Sequence, residues 1–79
     1  MSDEWKKMKA KFPDAVVFCK EGDEYVCYGQ DATTVARIIN VPVIGDVNML
    51  FRFPQEYLED IFCQVIRAGK QSAIITWNN

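Results

Sequence analysis

The stretch that most constrains the fold lies between residues 15 and 32, where two short apolar segments flank a polar turn. Ala15-Val16-Val17-Phe18-Cys19 is rich in β-branched and aromatic residues, which is typical of a buried strand. Gly22 takes positive φ at no steric cost, so the polar residues around it predict a tight turn. Tyr25 to Tyr28 then returns as a second strand. The two strands must be antiparallel, because so short a connection cannot join parallel ones.

Three helices are predicted from the spacing of apolar residues and from their end signals. Ser2 caps a first helix that Pro13 ends. Asp31 caps a second helix, which Asn40 can end in the left-handed conformation. Pro54 occupies the first position of a third helix, which Gly69 ends. The predicted apolar faces are Trp5, Met8 and Phe12 in the first helix, Ala32, Val35, Ala36 and Ile39 in the second, and Leu58, Ile61, Phe62, Val65 and Ile66 in the third.

Three further strands complete the predicted sheet. The Gly-first dipeptide Gly45-Asp46 indicates a second hairpin, between strands at 41–44 and 47–53. Gln71 to Trp77 forms the last strand. The resulting order α-β-β-α-β-β-α-β predicts an α+β fold, in which three helices pack on a mixed five-stranded β-sheet.

Chain length and composition indicate a single domain at 1–79, since 79 residues cannot divide their apolar side chains between two cores. No apolar run has the length of a membrane span, and Met1-Ser2-Asp3-Glu4 is acidic where a signal peptide is basic. We therefore expect a cytoplasmic protein with no membrane association. The net charge of −2 argues against strong duplex binding but leaves room for a local basic patch.

Metal, cofactor and catalytic sites are not expected. Cys19, Cys27 and Cys63 lie in apolar segments without zinc-ligand spacing, so we expect buried, reduced thiols. The chain has no histidine, which rules out a Ser-His or Cys-His nucleophile. A cluster at the first hairpin turn offers oxygens to a hard cation, although a solvated polar turn explains it more simply. That cluster consists of Glu21, Asp23 and Glu24.

Four segments, spread in order over nearly the whole chain, carry a family pattern. Gly22-Asp23-Glu24-Tyr25-Val26-Cys27-Tyr28-Gly29-Gln30-Asp31-Ala32 is similar to Gly-Asp-Phe-Tyr-Glu-x-Phe-Gly-x-Asp-Ala. Lys9-Ala10-Lys11-Phe12-Pro13-Asp14-Ala15-Val16-Val17 is similar to Lys-x-Lys-Tyr-Pro-Asp-Ala-Leu-Leu, and Ala36-Arg37-Ile38-Ile39-Asn40-Val41 to Ala-x-x-Leu-Gly-Ile. Val65-Ile66-Arg67-Ala68-Gly69-Lys70-Gln71-Ser72-Ala73-Ile74 follows Leu-Val-x-Ala-Gly-Tyr-x-Val-Ala-Ile. Together these segments resemble the N-terminal domain of the MutS mismatch-recognition proteins.

The recognition residues of that family are replaced in this chain. In the family, the Phe of the hairpin motif stacks on a mispaired base, and the Glu two residues later contacts the same base. The wedge-equivalent positions here are Glu24 and Val26, which face the same side of the second strand. A carboxylate cannot stack on a base, and a valine side chain cannot accept a hydrogen bond. The resemblance therefore implies the MutS domain I-like fold without the mismatch wedge.

The resemblance implies a non-catalytic MutS N-terminal-like module that binds DNA or takes part in DNA transactions. The alternative is a protein-interaction or dimerisation module that keeps the scaffold without DNA recognition. Tyr28 and Trp77 are candidates for base stacking or for a protein interface. The predicted phosphate contacts are Lys6, Lys7, Lys9, Lys11 and Lys20, although a solvated helix surface explains the first four more simply.

Overall fold

The computed structural model of the protein describes residues 3–41 and 50–76. This part of the chain contains three α-helices, one short 3₁₀ helix and four strands. In chain order they are α1 (Asp3–Lys11), β1 (Ala15–Glu21), β2 (Glu24–Tyr28), α2 (Gln30–Ile38), β3 (Leu50–Pro54), the 3₁₀ helix (Gln55–Tyr57), α3 (Leu58–Arg67) and β4 (Gln71–Ile75). None of the described helices is long and apolar enough to cross a membrane.

The sheet is mixed, as predicted, and its strand order is β3-β2-β1-β4. The hairpin strands β1 and β2 pair antiparallel, and β3 adds antiparallel to β2. The last strand, β4, pairs parallel to β1, with Ala15 opposite Gln71 and Cys19 opposite Ile75. Four strands are present in the described part, against the five predicted. The predicted hairpin at Gly45-Asp46 and nearly all of the predicted strand at 41–44 lie outside the described residues, and Val41 itself is not in a strand.

Helices cover both faces of this sheet, because side chains alternate between the faces along each strand. On one face, Val16, Phe18, Tyr25 and Cys27 form a core with residues of α2 and α3. On the other face, a smaller cluster packs against α1. It consists of Val17, Cys19 and Ile75, with Trp5, Met8, Tyr28 and Ala73 at its border. The described residues therefore form three layers, with α1 alone on its side.

The backbone turns expected from the sequence are present. Gly22 has φ of 67° at the β1–β2 turn, and Gly69 has φ of 84° after α3. Asn40 takes the left-handed conformation after α2, with φ of 63°. These local predictions are confirmed because each depends on the conformational freedom of one residue.

The predicted start of the third helix is wrong. Pro54 is the last residue of β3, with an extended ψ of 145°, and the α-helix begins four residues later at Leu58. The intervening 3₁₀ turn is tied to the hairpin, since the Gln55 N–H donates to the Asp23 carbonyl at 2.9 Å. This tertiary hydrogen bond places the proline in the sheet instead of at the first helical position.

Several side chains predicted to be buried are exposed instead. Phe12 is 44% exposed because α1 ends one residue before it. In α3, Ile61 and Val65 face the sheet, whereas Ile66 lies one residue farther round the helix and is 48% exposed. Cys63 is about 200° from Ile61 at 3.6 residues per turn and is exposed.

The other two cysteines are buried, as predicted. Burial is the main cause that raises the pKa of Cys19 to about 12, with smaller contributions from Glu21 and Asp31. Burial also raises the pKa of Cys27, with a smaller contribution from Asp31. Both thiols are therefore protonated at neutral pH and behave as small apolar side chains.

Candidate nucleic-acid interface

Glu24, predicted to be the first wedge-equivalent position, lies at the start of β2, beside the hairpin turn. Its Oε1 accepts a hydrogen bond from Nη1 of Arg52 on the neighbouring strand at 3.2 Å. Nη2 of the same guanidinium lies 3.8 Å from Oε1 of Glu21 on β1. The three side chains are 34–45% exposed, so each pair contributes at most about 1 kcal/mol. The Glu24 carboxylate nevertheless has a cationic partner where the family pattern has a stacking ring.

Val26, predicted to be the second wedge-equivalent position, has no exposed surface. In the sheet it is opposite Cys19 on one side and Arg52 on the other. A group with no accessible surface cannot touch a base, whatever its chemistry. The sequence predicts that Val26 cannot hydrogen-bond to a base, and the structure adds that it is out of reach.

Tyr28 is engaged within the protein. Its hydroxyl donates a hydrogen bond to the Glu21 carboxylate, and its ring meets Trp5 edge-on at 6.1 Å between centroids. Burial is the main cause that raises the pKa of Tyr28 to about 12, and the bond to Glu21 raises it further. Stacking of Tyr28 on a base stays a prediction, and this geometry requires it to compete with the contact to Trp5.

Arg52 was missed by the sequence reasoning, although it links both glutamates of the hairpin. The available signal was its position in Leu50–Pro54, where one cation lies between Phe51 and Phe53. Such alternation puts the charge on the face opposite the aromatic rings. The residues that pair with Arg52, however, depend on which strand lies beside β3, and the sequence does not give that order.

The lysines of α1 divide into two groups. Lys6, Lys7 and Lys11 are exposed, and Nζ of Lys11 lies 5.6 Å from the centroid of the Phe12 ring. Lys9 is half-buried and makes two contacts within the protein. Its Nζ donates to the Ala15 carbonyl at 2.7 Å and to Oδ1 of Asp31 at 3.1 Å.

Asp31 is a buried carboxylate. The prediction that it caps α2 is wrong, because the helix begins before it. Gly29 is the N-cap of α2, and Asp31 lies inside the first turn of the helix. Its Oδ2 accepts the Val17 backbone N–H at 3.1 Å, while Oδ1 binds Lys9. The side chain therefore joins α1, β1 and α2. The signal for this role was that Lys9 lies four residues after Trp5, on the apolar side of its helix.

Lys20 faces the side of the sheet opposite α1, because it follows Cys19, which packs on the α1 side. It lies near the C-terminal end of β1, and its Nζ donates to Oε1 of Gln55 at 3.2 Å. The predicted phosphate contacts thus do not form one surface. Trp77, the remaining candidate, lies outside the described residues.

The acidic cluster at the hairpin turn does not form a metal site in the described structure. No three side chains of histidine, cysteine, aspartate or glutamate come together as potential ligands within residues 3–41 and 50–76. Glu21 and Glu24 instead share Arg52, and Asp23 is exposed.

Comparison with known proteins gives consistent matches over nearly the whole chain. The sequence model of MutS domain I matches residues 1–78. A DNA mismatch repair protein MutS from Bacteroides fragilis is 34% identical over 80 residues, covering 94% of this chain and 9% of that protein. The MutS of Parabacteroides distasonis is 34% identical over 73 residues, covering 85% and 8%. The MutS of Christiangramia forsetii is 30% identical over 79 residues, covering 94% and 9%. The chain therefore spans about a tenth of the length of these curated relatives.

Proposed function

This chain belongs to the MutS domain I family, and from that premise we propose that it is a non-catalytic module of DNA mismatch repair. It associates with DNA through the phosphates and does not select mispaired bases. The relatives are named as DNA mismatch repair proteins, which supports the DNA partner. The exposed lysines of α1 supply cations that can replace counterions along a DNA strand.

The proposal rests mainly on the residues at the two recognition positions, Glu24 and Val26. Base stacking provides about 1–3 kcal/mol per base and needs a free planar ring. The position of that ring holds Glu24, which is paired with Arg52. The position of the hydrogen-bonding glutamate holds Val26, which has no exposed surface. What remains for DNA is electrostatic contact, which does not depend on sequence or on mispairing.

We propose that the chain is not catalytic because its side chains lack the chemistry that catalysis needs. The chain contains no histidine, so it lacks the commonest general base. Burial keeps the thiols of Cys19 and Cys27 protonated through its effect on their pKa values, so neither is an activated nucleophile.

Titration of a fluorescent duplex with the protein, at low and at physiological salt, tests the proposed association with DNA. We expect weak binding that is lost as salt rises. For two or three phosphate contacts, the slope of log K against log salt should be about −2 to −3. A protein that fails to bind even at low salt would contradict the proposal, because phosphate contacts are strongest there.

The alternative proposal is a protein-interaction or dimerisation module. Its support is a set of large apolar side chains that are 44–53% exposed, on different elements of the fold. They are Phe12, Leu50, Tyr57 and Ile66. Single exposed apolar residues are common on monomers, so this support is weaker than that for DNA. Light scattering on the same samples distinguishes the two, since a dimer mass without DNA binding would favour the alternative.

A further inference from the structure

Cations are concentrated at one end of the sheet. Because β1 and β4 are parallel, their first residues lie together with the C-terminal ends of α1 and α3. We call this the basic end. Its four cations are Lys9, Lys11, Arg67 and Lys70. Two described carboxylates oppose them, on Asp14 and Asp31.

Carboxylates are concentrated at the opposite end of the sheet, which we call the acidic end. It contains the hairpin turn, the 3₁₀ helix and the first turn of α3. Its six carboxylates are Glu21, Asp23, Glu24, Glu56, Glu59 and Asp60. Asp23, Glu24 and Glu56 line a common depression, which shows that the hairpin and the 3₁₀ helix meet here. Two cations, Lys20 and Arg52, also lie at this end. Cations therefore outnumber carboxylates at the basic end and carboxylates outnumber cations at the acidic end, whereas Lys6, Lys7 and Arg37 belong to neither group.

One free cation of the basic end, Lys70, lines an open cleft. Lys9 is neutralised by Asp31, but Lys11, Arg67 and Lys70 are exposed. A cleft of about 410 Å³ lies between Lys9 and Lys70. Gln30 and Thr34 also line it and add hydrogen-bonding groups. The carboxylates of Asp14 and Asp31 line it too, so Lys70 is the cation of this cleft that has no carboxylate partner in the described structure. Flexible cations beside a polar cleft suit the phosphates and sugars of a nucleic-acid strand.

We propose that the basic end is the surface that receives the DNA phosphates, with Lys11, Arg67 and Lys70 as the contacts. This inference rests on the proposed association with DNA and adds where on the domain the strand lies. Separated charges orient a domain in the field of a polyanion. The acidic end, with Glu24, therefore points away from the DNA. Lys20, which lies at that end, makes no phosphate contact.

Paired charge reversals test this assignment on the whole chain. The first variant carries Arg67→Glu and Lys70→Glu, and the matched control carries Arg37→Glu and Lys20→Glu. Both variants change the net charge equally. In both, the arginine lies in the last turn of a helix, so the effects on the helix dipole match. Thermal unfolding checks that each variant is folded, and anisotropy of a labelled duplex at several salt concentrations measures binding.

We expect the basic-end variant to bind at least about tenfold more weakly at low salt, with the salt slope reduced by about 2. The control should keep most of the wild-type slope. If the control loses as much slope as the basic-end variant, or more, the assignment is wrong while DNA association stands. If the wild-type protein itself does not bind at low salt, the proposed function fails and this inference fails with it.

Discussion

Replacing Asp31 with alanine is expected to lower the free energy of unfolding by about 3 kcal/mol. The Asp31 side chain is 9% exposed, and it binds both the Lys9 ammonium and the Val17 N–H. Its removal leaves a buried backbone donor unpaired and a half-buried cation without its counter-charge. For a domain of this size, the unfolding midpoint should fall by roughly 12–24 °C. Urea and thermal unfolding followed by circular dichroism measure both quantities.

Asp14→Ala is the matched control, because Asp14 is exposed and borders the same cleft as Asp31. It should change stability by less than about 0.5 kcal/mol. Asp31→Asn keeps an acceptor for the Val17 N–H but loses the charge, so it should fall between the two. Equal stability of the two alanine variants would show that Asp31 does not hold α1, β1 and α2 together.

Restoring the family's glutamate at the second recognition position is expected to destabilise the domain by about 3 kcal/mol or more. Val26 has no exposed surface, so Val26→Glu replaces a packed side chain with a larger one that must bury a carboxyl group. Arg52 lies opposite Val26 in the sheet, but its guanidinium is already paired with Glu21 and Glu24. It would have to be shared among three carboxylates. Urea unfolding at several pH values is the measurement.

The pH dependence of that variant has a definite sign. Burial raises the pKa of a carboxyl group, so the folded variant binds more protons than the unfolded chain. Its stability deficit relative to wild type should therefore grow as pH rises above about 4.3, the ordinary value for glutamate. Glu24→Phe is the control, since it changes a partly exposed side chain and loses only an ion pair worth at most about 1 kcal/mol. If Val26→Glu is as stable as wild type at neutral pH, this prediction is wrong, because position 26 then accommodates a charged side chain.

Local features of the fold were predictable because their causes lie within a few residues. The β1–β2 hairpin follows from apolar segments on either side of Gly22, and the end of α2 follows from Asn40. Each needs only an intrinsic backbone preference and a short loop. The mixed α+β class follows from the order of these elements.

Features that depend on distant partners were not predictable in the same way. Asp31 is a good cap by type, but its partners Lys9 and Val17 are 22 and 14 residues away. Pro54 favours a helix start locally, and the bond from Gln55 to Asp23 overrides that preference. At the candidate interface, sequence identified the residue types at Glu24 and Val26. The ion pair of Glu24 with Arg52 and the burial of Val26 could not be predicted without the strand order of the sheet.

We propose that this MutS domain I scaffold contacts DNA without selecting mispaired bases. The most direct test is competition at low salt, in which unlabelled matched and mismatched duplexes of equal length displace a labelled matched duplex from the protein. Because the Glu24 carboxylate cannot stack on a base and Val26 is buried, we expect equal affinities for the two competitors. A preference for the mismatched duplex of about tenfold, or about 1.4 kcal/mol, would contradict the claim. It would show that another side chain supplies the missing wedge.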